Sequence, residues 1–482
     1  MKTFSRVLIF AAAGAMLAAC AKDDGITTAS FESIKASVPV PVTFGTYMGE
    51  TAETRAGYVG VMNDTQLKET LANKGGFGVF GYYTNGGDYN SSSWPNFMWN
   101  QGVFFNTTKW EYSPIKYWPN ETTTDSNGAT STHTDKLTFF AYAPYVSPTS
   151  TTTSGEFTTD ETYGITKLSG NTITGDPKVS YKVDFTGLNS VDLLWAVNGS
   201  APADATSVVT GTTWNISSGM PYIDLVKPKL SASGSTPVNF TFKHALYRMA
   251  LTVQATRDAT AAVTSGGTEF WDTTDGAANK TKIVIDYVKI TGLFPTAGVL
   301  NLNNTTAGAS TPLWAGTGTS DAFLYSGTGN SEITINATNN NLTESLRVTA
   351  TSGTPAAASS QPDGVKVNSA TNLMNTQQTG EASATDKYLM FIPVSGNKAF
   401  SVEIKYYVIT DDANLNGGKS VIENVITKNV TLADDMKAGK AYTLNLLLGM
   451  QTVSLSATVS GWDTGESTAV NLPINVTTTP TP

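Results

Sequence analysis

The 482-residue chain has very little cysteine and histidine, on which many active sites and metal sites depend. Cys20 is the only cysteine, so the sequence excludes an internal disulfide, a thiolate zinc site and a cysteine nucleophile elsewhere. The two histidines are His133 and His244, and neither has a nucleophile motif such as Gly-x-Ser-x-Gly nearby. Zinc sites need clustered ligands. We therefore predict that the protein is not an enzyme, has no catalytic residues, and binds no metal or cofactor.

Charged residues are also scarce, at 14% of the chain, and the net charge is −9. Only five residues are arginine. Nucleic-acid binding needs a basic face, so this composition argues against a nucleic-acid partner. The acidic pairs Asp411-Asp412 and Asp434-Asp435 lack the alternating spacing of oxygen ligands in a calcium loop, which favours solvated charge over metal binding.

Threonine, serine, asparagine and glycine dominate the stretches between short apolar runs, which is typical of a β-rich chain with long polar turns. The helix candidate is short, with Asp64 as its cap and Gly75-Gly76 as its end. The predicted strands are, in chain order, 77–83, 97–105, 137–142, 192–197, 238–242, 246–255, 283–291, 298–302, 332–337, 388–392, 400–409, 442–448 and 453–459. This pattern predicts an all-β fold of two β-sandwich domains in tandem, with a boundary within residues 227–237.

The N-terminus has the pattern of a secretion signal, because Lys2 and Arg6 accompany an apolar run over residues 7–17. That run is shorter than the roughly 20 residues that span a bilayer. The following Leu17-Ala18-Ala19-Cys20 resembles the lipobox of bacterial lipoproteins. The resemblance implies that signal peptidase II removes residues 1–19 and that lipid on Cys20 attaches the protein to the outer membrane. Residues 22–24 resemble the charged export signal of surface lipoproteins in the Bacteroidota, which implies lipoprotein export machinery as a partner.

Two segments near opposite ends of the chain share the two-residue apolar period of a strand with one buried face. The apolar positions are Val38, Val40, Val42 and Phe44 in the first segment and Val470, Leu472, Ile474 and Val476 in the second. Pro39, Pro41 and Pro473 remove backbone donors on one side, which suits an edge position. The two segments are therefore predicted to fit the same groove.

Arg55 is the only arginine between Cys20 and Arg248, and it lies between the first segment and the folded body. A protease specific for arginine would cut between Arg55 and Ala56 and release the first strand. The vacated groove would then accept the second segment from another molecule, which is polymerisation by strand addition.

Six short motifs occur in the order found in one protein family. They are Trp110, Tyr112, Pro114, Tyr117, Trp118 and Pro119; 139–144; 192–196; 240–246; 439–442; and Gly461-Trp462. Together they span nearly the whole chain and resemble the fimbrillins, the type V pilins of Bacteroidales. The resemblance implies two transthyretin-like β-sandwiches, export as a lipoprotein, trimming by an arginine-specific protease, and assembly by donor-strand exchange with other copies and related pilus subunits into an adhesive surface fimbria. The polar extension 477–482 departs from the family pattern.

The expected organisation follows from these patterns. It comprises a signal peptide (1–19), a lipidated propeptide with the removable strand (20–55), an N-terminal sandwich (56–230), a C-terminal sandwich (231–468), and a donor strand with tail (469–482). The alternative is a surface lipoprotein that binds glycans through exposed aromatics and does not polymerise. Trp94, Trp99, Trp110 and Trp118 would supply such a platform, although tryptophan is usually mostly buried, which favours a core role. The duplicated strand favours the pilus subunit.

Overall fold

A computed structural model describes residues 39–47, 62, 64–69, 75–119, 122–124, 130–132, 135–161, 163–185, 190–198, 221–227, 237–256, 263–265, 268–270, 281–303, 313–314, 331–338, 342–366, 369–376, 385–386, 388–449, 452–461, 470–471 and 474–478. The regular structure in these ranges is almost entirely β-strand, as predicted. The helices described are α1 (Asp64–Leu67) and two 3-10 turns (Glu344–Leu346 and Ala358–Ser360). In the same ranges, no helix is long and apolar enough to cross a bilayer.

The strands of the first half of the chain are β1 (Phe44–Tyr47), β2 (Phe77–Tyr83), β3 (Met98–Phe105), β4 (Trp110–Glu111), β5 (Thr122–Thr124), β6 (Thr130–Thr132), β7 (Lys136–Ala143), β8 (Pro148–Thr151), β9 (Phe157–Thr159), β10 (Ile165–Leu168), β11 (Lys178–Lys182), β12 (Leu194–Asn198), β13 (Tyr222–Val226) and β14 (Val238–His244).

The strands of the second half are β15 (Tyr247–Ala255), β16 (Val263–Ser265), β17 (Thr268–Phe270), β18 (Thr281–Gly292), β19 (Ala297–Asn301), β20 (Leu313–Trp314), β21 (Ser331–Asn336), β22 (Ala350–Thr351), β23 (Thr354–Pro355), β24 (Thr371–Asn372), β25 (Asn375–Thr376), β26 (Thr385–Asp386), β27 (Leu389–Phe391), β28 (Ala399–Asp411), β29 (Lys419–Leu432), β30 (Lys440–Leu448), β31 (Val453–Gly461), β32 (Val470–Asn471) and β33 (Ile474–Thr478). Every predicted strand is confirmed, with ends that differ by two residues or fewer.

The first sandwich consists of an eight-stranded sheet and a six-stranded sheet. The larger sheet has the order β1-β14-β12-β7-β2-β3-β4, and β13 also pairs with β7; the smaller has the order β20-β19-β11-β10-β9-β8. Strands β2 and β7 lie at the centre and are buried on both faces, which explains their nearly continuous apolar sequences. One hydrophobic core contains side chains from both sheets and is rich in Phe, Tyr and Trp.

The second sandwich has a six-stranded sheet and a five-stranded sheet around a mostly aliphatic core. The first sheet has the order β24-β15-β30-β31-β32, with β27 also on β15, and the second has the order β21-β18-β28-β29-β33. Strands such as β28 and β30 alternate buried and half-exposed residues, as expected for strands with one face on a core.

The first sandwich takes in strands from beyond the expected domain boundary. β14 and β19 lie beyond residue 231, yet they pair with β12 and β11 in the first sandwich. Strand pairing therefore does not change at the expected boundary between residues 230 and 231. The physical reason lies in β14, because the Phe240 and Phe242 side chains belong to the first core, while the next strand, β15, contributes to the second.

Candidate functional site

Residues 39–47, which we call the first segment, lie between the two edges of the eight-stranded sheet. Strand β1 pairs in parallel with β14 at one edge, with Phe44 opposite Val238. Just before β1, Pro41 forms an antiparallel bridge with Tyr117, in the stretch that follows β4 at the other edge. The first segment thus joins both edges of one sheet, and we call this junction the seam.

Backbone hydrogen bonds fix the first half of the segment against residues 116–118. The Val42 N–H donates to the Lys116 carbonyl at 2.9 Å, and the Trp118 N–H donates to the Val40 carbonyl at 2.8 Å. These bonds flank Pro41, so the polar groups of residue 41 point away from this partner. A proline therefore costs no hydrogen bond on that side of the seam, in agreement with the predicted edge role of the prolines.

The second half of the segment is held by β14. The Val238 N–H donates to the Thr43 carbonyl at 2.8 Å, and the parallel register continues from Phe44 to Tyr47. Gly45 lies opposite Asn239, and a Cβ at residue 45 would come within 2.1 Å of Asn239 Oδ1. The absence of a side chain at Gly45 thus leaves room for the Asn239 amide between β1 and β14.

The predicted apolar face of the segment is buried. Val40, Val42 and Phe44 are 2%, 1% and 5% exposed and belong to the first core. Full burial of an apolar side chain of this size contributes about 1.5–3 kcal/mol relative to exposure. The segment is therefore part of the core as well as an edge of the sheet, and its removal would uncover apolar surface.

Phe44 lies in a cage of aromatic rings. The centroids of the Phe77, Tyr112, Phe139 and Phe240 rings lie 6.3, 5.5, 5.7 and 5.7 Å from the Phe44 centroid. The Phe240 ring is stacked at an interplanar angle of 15°, while the Phe77 and Phe139 rings are edge-on. Such pairs add to the free energy gained from area burial. We call these four rings the aromatic cage.

Tyr112 also contacts the backbone of the first segment. Its hydroxyl donates to the Val42 carbonyl at 2.8 Å. Burial raises the pKa of Tyr112 to about 12, so the hydroxyl keeps its proton at neutral pH and remains a donor. Sequence reasoning found Tyr112 only as part of a motif and did not predict this contact.

Two motif residues form a buried pair in the first sandwich. Asp192 precedes β12, His244 ends β14, and the Asp192 Oδ2 and His244 Nδ1 atoms are hydrogen-bonded with both side chains buried. The Met62 N–H donates to the same Asp192 oxygen at 3.3 Å. The pair thus ties two strands of the sheet to the chain that follows Arg55. Sequence reasoning considered His244 as a possible catalytic base and as part of a motif, and it missed this partner.

The C-terminal segment, residues 470–478, lies against two strands of the second sandwich. β32 pairs with β31, with Val470 opposite Val459, and β33 pairs antiparallel with β29, with Val476 opposite Val430. The segment therefore changes partner strand along its length, as the first segment does. In this conformation its backbone pairs within its own chain, and donation to another molecule requires these pairs to open.

Several residues predicted to act in maturation and exchange lie outside the described ranges. They are Cys20, Val38, Arg55, Ala56 and Leu472. Val470, Ile474 and Val476 are described through their backbone pairing. His133 also lies outside the described residues. The structure thus brings Val40, Val42 and Phe44 together in one groove of the first sandwich. The C-terminal segment pairs with strands of the second sandwich.

Three of the four clustered tryptophans are packed. Trp118 is buried, the Trp99 ring lies 4.2 Å from Phe157, and the Trp110 ring lies 5.0 Å from Phe77. Trp94 is 47% exposed. The four side chains therefore do not form one exposed platform. Among the described residues, no three His, Cys, Asp or Glu side chains are grouped as a metal site would require.

The architecture is that of an all-β protein of two sandwiches in which a terminal strand completes a sheet and a core. No protein-family model matches the chain. It is 32% identical over 117 residues to the fimbrium subunit Fim1C of Phocaeicola vulgatus, a match that spans 24% of this chain and 25% of that relative. This similarity confirms the resemblance to fimbrial subunits that the motifs indicate. The chain matches only about a quarter of the length of this relative.

Solved structures of fimbrial proteins are similar over most of the chain. A fimbrial protein from Bacteroides vulgatus has 20% identity and a TM-score of 0.49, with 88% of this chain and 99% of that chain covered. The fimbrial anchor protein Mfa2 from Porphyromonas gingivalis has 9% identity and a TM-score of 0.26, with 88% and 98% covered.

Proposed function

We propose that the protein is a structural subunit of a type V pilus, a surface fimbria that serves cell adhesion, and that its subunits join by donor-strand exchange. The observation that carries the proposal is the first segment, which is buried in the seam with Val40, Val42 and Phe44 in the core. A strand with the same apolar period lies near the other end of the chain. The similarity to a fimbrium subunit supports the same role.

The proposed sequence of events begins at the N-terminus. Lipid on Cys20 attaches the precursor to the outer membrane after passage through the lipoprotein export machinery. An arginine-specific protease then cuts between Arg55 and Ala56, and the first segment leaves the seam. Its departure opens two hydrogen-bonding edges, β14 on one side and residues 116–118 on the other, above an apolar groove. The C-terminal segment of a second copy, or of a related pilus subunit, occupies that groove.

This role requires no chemistry from the subunit itself. The interactions at the seam are backbone hydrogen bonds and apolar packing, which are the terms that give affinity and register in strand addition. The alternative role is a glycan-binding lipoprotein that does not polymerise. Of the four clustered tryptophans, only Trp94 is largely exposed, and the other three are packed. The seam favours the structural subunit.

The test is assembly in solution from purified precursor. Treatment with an arginine-specific protease should produce an N-terminus at Ala56 and a ladder of polymers on gels run without boiling. Precursor carrying Arg55→Lys keeps the charge but has no arginine between the first segment and the folded body, so the first segment should stay attached and the protein should stay monomeric under the same treatment. Cleaved wild-type protein that remains monomeric at high concentration would contradict the proposal.

A further inference from the structure

The two matching segments align through their prolines. Pro41 lies where the seam requires no hydrogen bond to residues 116–118, and Pro473 occupies the same position in the second copy of the pattern. This alignment places Leu472 on Val40, Ile474 on Val42, Val476 on Phe44 and Thr477 on Gly45. The replacements at residues 40 and 42 keep aliphatic side chains. The replacement at residue 44 gives a smaller side chain, and the replacement at residue 45 gives a larger one.

The change at residue 44 falls within the aromatic cage. The Phe44 ring contacts all four cage rings, with centroid distances from 5.5 to 6.3 Å. A valine in its place has no ring to stack on Phe240 or to meet the edges of Phe77 and Phe139. The space that the ring occupied would remain partly empty, and an unfilled space in a core weakens binding beyond the loss of buried area.

At residue 45 the C-terminal segment has the larger side chain, whereas at residue 44 it has the smaller one. Gly45 leaves room for the Asn239 amide, and a Cβ at this position would meet Asn239 Oδ1 at 2.1 Å. Thr477 brings such a Cβ, so the Asn239 side chain must turn aside when the C-terminal segment is seated in this register. Because the Asn239 amide is the end of a flexible side chain, this mismatch is small, and the larger mismatch lies at residue 44.

We propose that the groove is shaped for a strand with an aromatic residue at the position of Phe44, and that Val476 limits the strength of the joint between copies of this chain. The proposal rests on the function proposed above. Its consequence is that the first segment outcompetes the C-terminal segment for the groove while it is present. Cleavage after Arg55 is then needed to let the weaker strand bind, and a donor strand with an aromatic at this position would bind this subunit in preference to the chain's own.

The first experiment compares peptides as inhibitors of assembly. Full-length precursor is cleaved after Arg55 in the presence of a peptide of residues 38–47, or of the same peptide with Phe44→Val. The natural peptide should inhibit ladder formation at a concentration at least about tenfold lower than the substituted one, since a partly empty aromatic site is expected to cost a decade or more in affinity. Equal inhibition by the two peptides would overturn the proposal.

The second experiment places the aromatic on the donor. Val476→Phe in the full chain should slow dissociation of the cleaved polymer by about tenfold, because interface changes act mainly on dissociation. Ile474→Phe is the matched control, because it adds the same ring at the site of Val42, which is 1% exposed and aliphatic. Overpacking there should accelerate dissociation. Since β33 pairs with β29 in the monomer, the unfolding midpoint of each uncleaved variant measures any change in that intramolecular pairing.

The outcomes separate this proposal from the proposed function. If the cleaved wild type forms ladders but Val476→Phe and Ile474→Phe strengthen them equally, or Val476→Phe leaves them unchanged, the cage does not set the strength of the joint, while donor-strand exchange still stands. If the cleaved wild type forms no ladder, both proposals fail together.

Discussion

The first segment and the C-terminal segment share a sequence pattern but lie in different structural settings. The first segment joins two edges of one sheet and buries its apolar face in an aromatic core. The C-terminal segment runs along β31 and β29, which belong to two different sheets. β29 pairs with β28 along nearly its whole length, so that strand is formed without the C-terminal segment. The first segment therefore completes a core, whereas the second extends edges that already exist.

In the proposed mechanism, this difference would give strand exchange a direction. Loss of the first segment uncovers apolar surface and two open edges, which is a state that a strand can stabilise. Release of the C-terminal segment opens strand pairs at the edges of the second sandwich and leaves the pairing of β28 with β29 in place. The two open edges of the first sandwich are templates for another chain. We infer that the first sandwich acts as the acceptor and the C-terminal segment as the donor.

The largest effect is expected from charge in the donor strand. In the proposed joint, burial of Val470, Leu472, Ile474 and Val476 would contribute roughly 6–12 kcal/mol before ordering costs. Leu472→Asp or Ile474→Asp places a carboxylate in an apolar groove and should abolish the polymer ladder.

Asn471→Asp and Asn475→Asp are the matched controls, because neighbouring residues of a strand point to opposite faces. Both should assemble like the wild type. Equal loss in the asparagine and apolar variants would show that this strand is not the donor.

The next largest effect concerns the acceptor core. Phe44→Ala in the uncleaved precursor should lower the free energy of unfolding by about 3–5 kcal/mol, because it empties the aromatic cage. Val425→Ala is the control on the second sandwich, at a residue 39% exposed, and should change stability by less than about 0.5 kcal/mol. Denaturant unfolding of both variants measures the contrast. A similar small change in both would mean that the first segment does not support the core.

A deletion tests the same contrast from the donor side. Truncation after Gly465 removes the C-terminal segment and should yield a folded subunit that is cleaved after Arg55 and remains monomeric. Its unfolding midpoint should stay much closer to that of the wild type than the midpoint of Phe44→Ala does. Ladders from the truncated protein would contradict the assignment of the donor.

A smaller effect is expected at Tyr112. Tyr112→Phe keeps the ring of the cage but removes the hydrogen bond to the Val42 carbonyl, and should destabilise the precursor by about 0.5–1.5 kcal/mol. Since burial raises the pKa of Tyr112 to about 12, the wild type should hold this bond from neutral pH up to that value and lose it above. The difference in stability between the two proteins should therefore stay constant between pH 6 and 9, which denaturant titrations measure. A difference that vanished within this range would contradict the contact.

The smallest structural effect is expected at Cys20, which lies in the part of the chain that the proposed cleavage would remove. Cys20→Ala should leave the unfolding of the precursor unchanged but place it in the periplasm without lipid. Cell fractionation measures the outcome. Normal surface fibres from this variant would show that the lipid is dispensable.

The sequence predicted those strands whose residues alternate regularly or form continuous apolar runs, such as β2, β7 and β28. It missed β29, the 14-residue strand that holds the C-terminal segment, because its residues are mostly half-exposed and its burial does not alternate. Likewise, β8 is not among the predicted strands, and its threonine and serine residues are exposed. Periodicity reports burial on one face, and strands without such a face give no signal.

The candidate site was predicted in part. The apolar period identified Val40, Val42 and Phe44, and all three side chains are buried. The aromatic cage was not predictable, because its rings come from β2, β7, β14 and Tyr112, which are distant in sequence and meet only through the sheet order. Parallel pairing of β1 with β14 likewise depends on a long-range contact that no local pattern specifies.

The most direct test of strand exchange is a disulfide across the seam between two molecules. Pro41 faces Tyr117 in a non-hydrogen-bonded antiparallel pair, whose short Cα separation suits a disulfide. Pro473 of a second copy should take the place of Pro41, and the proposed cleavage after Arg55 would remove Cys20, the only native cysteine.

Tyr117→Cys combined with Pro473→Cys should therefore give, after cleavage and oxidation, a ladder that survives boiling and collapses to monomer on reduction. Tyr117→Cys with Asn475→Cys is out of register by two residues and should cross-link poorly. A boiled gel of the first pair that shows only monomers, with or without an internal disulfide, would contradict donor-strand exchange at this groove.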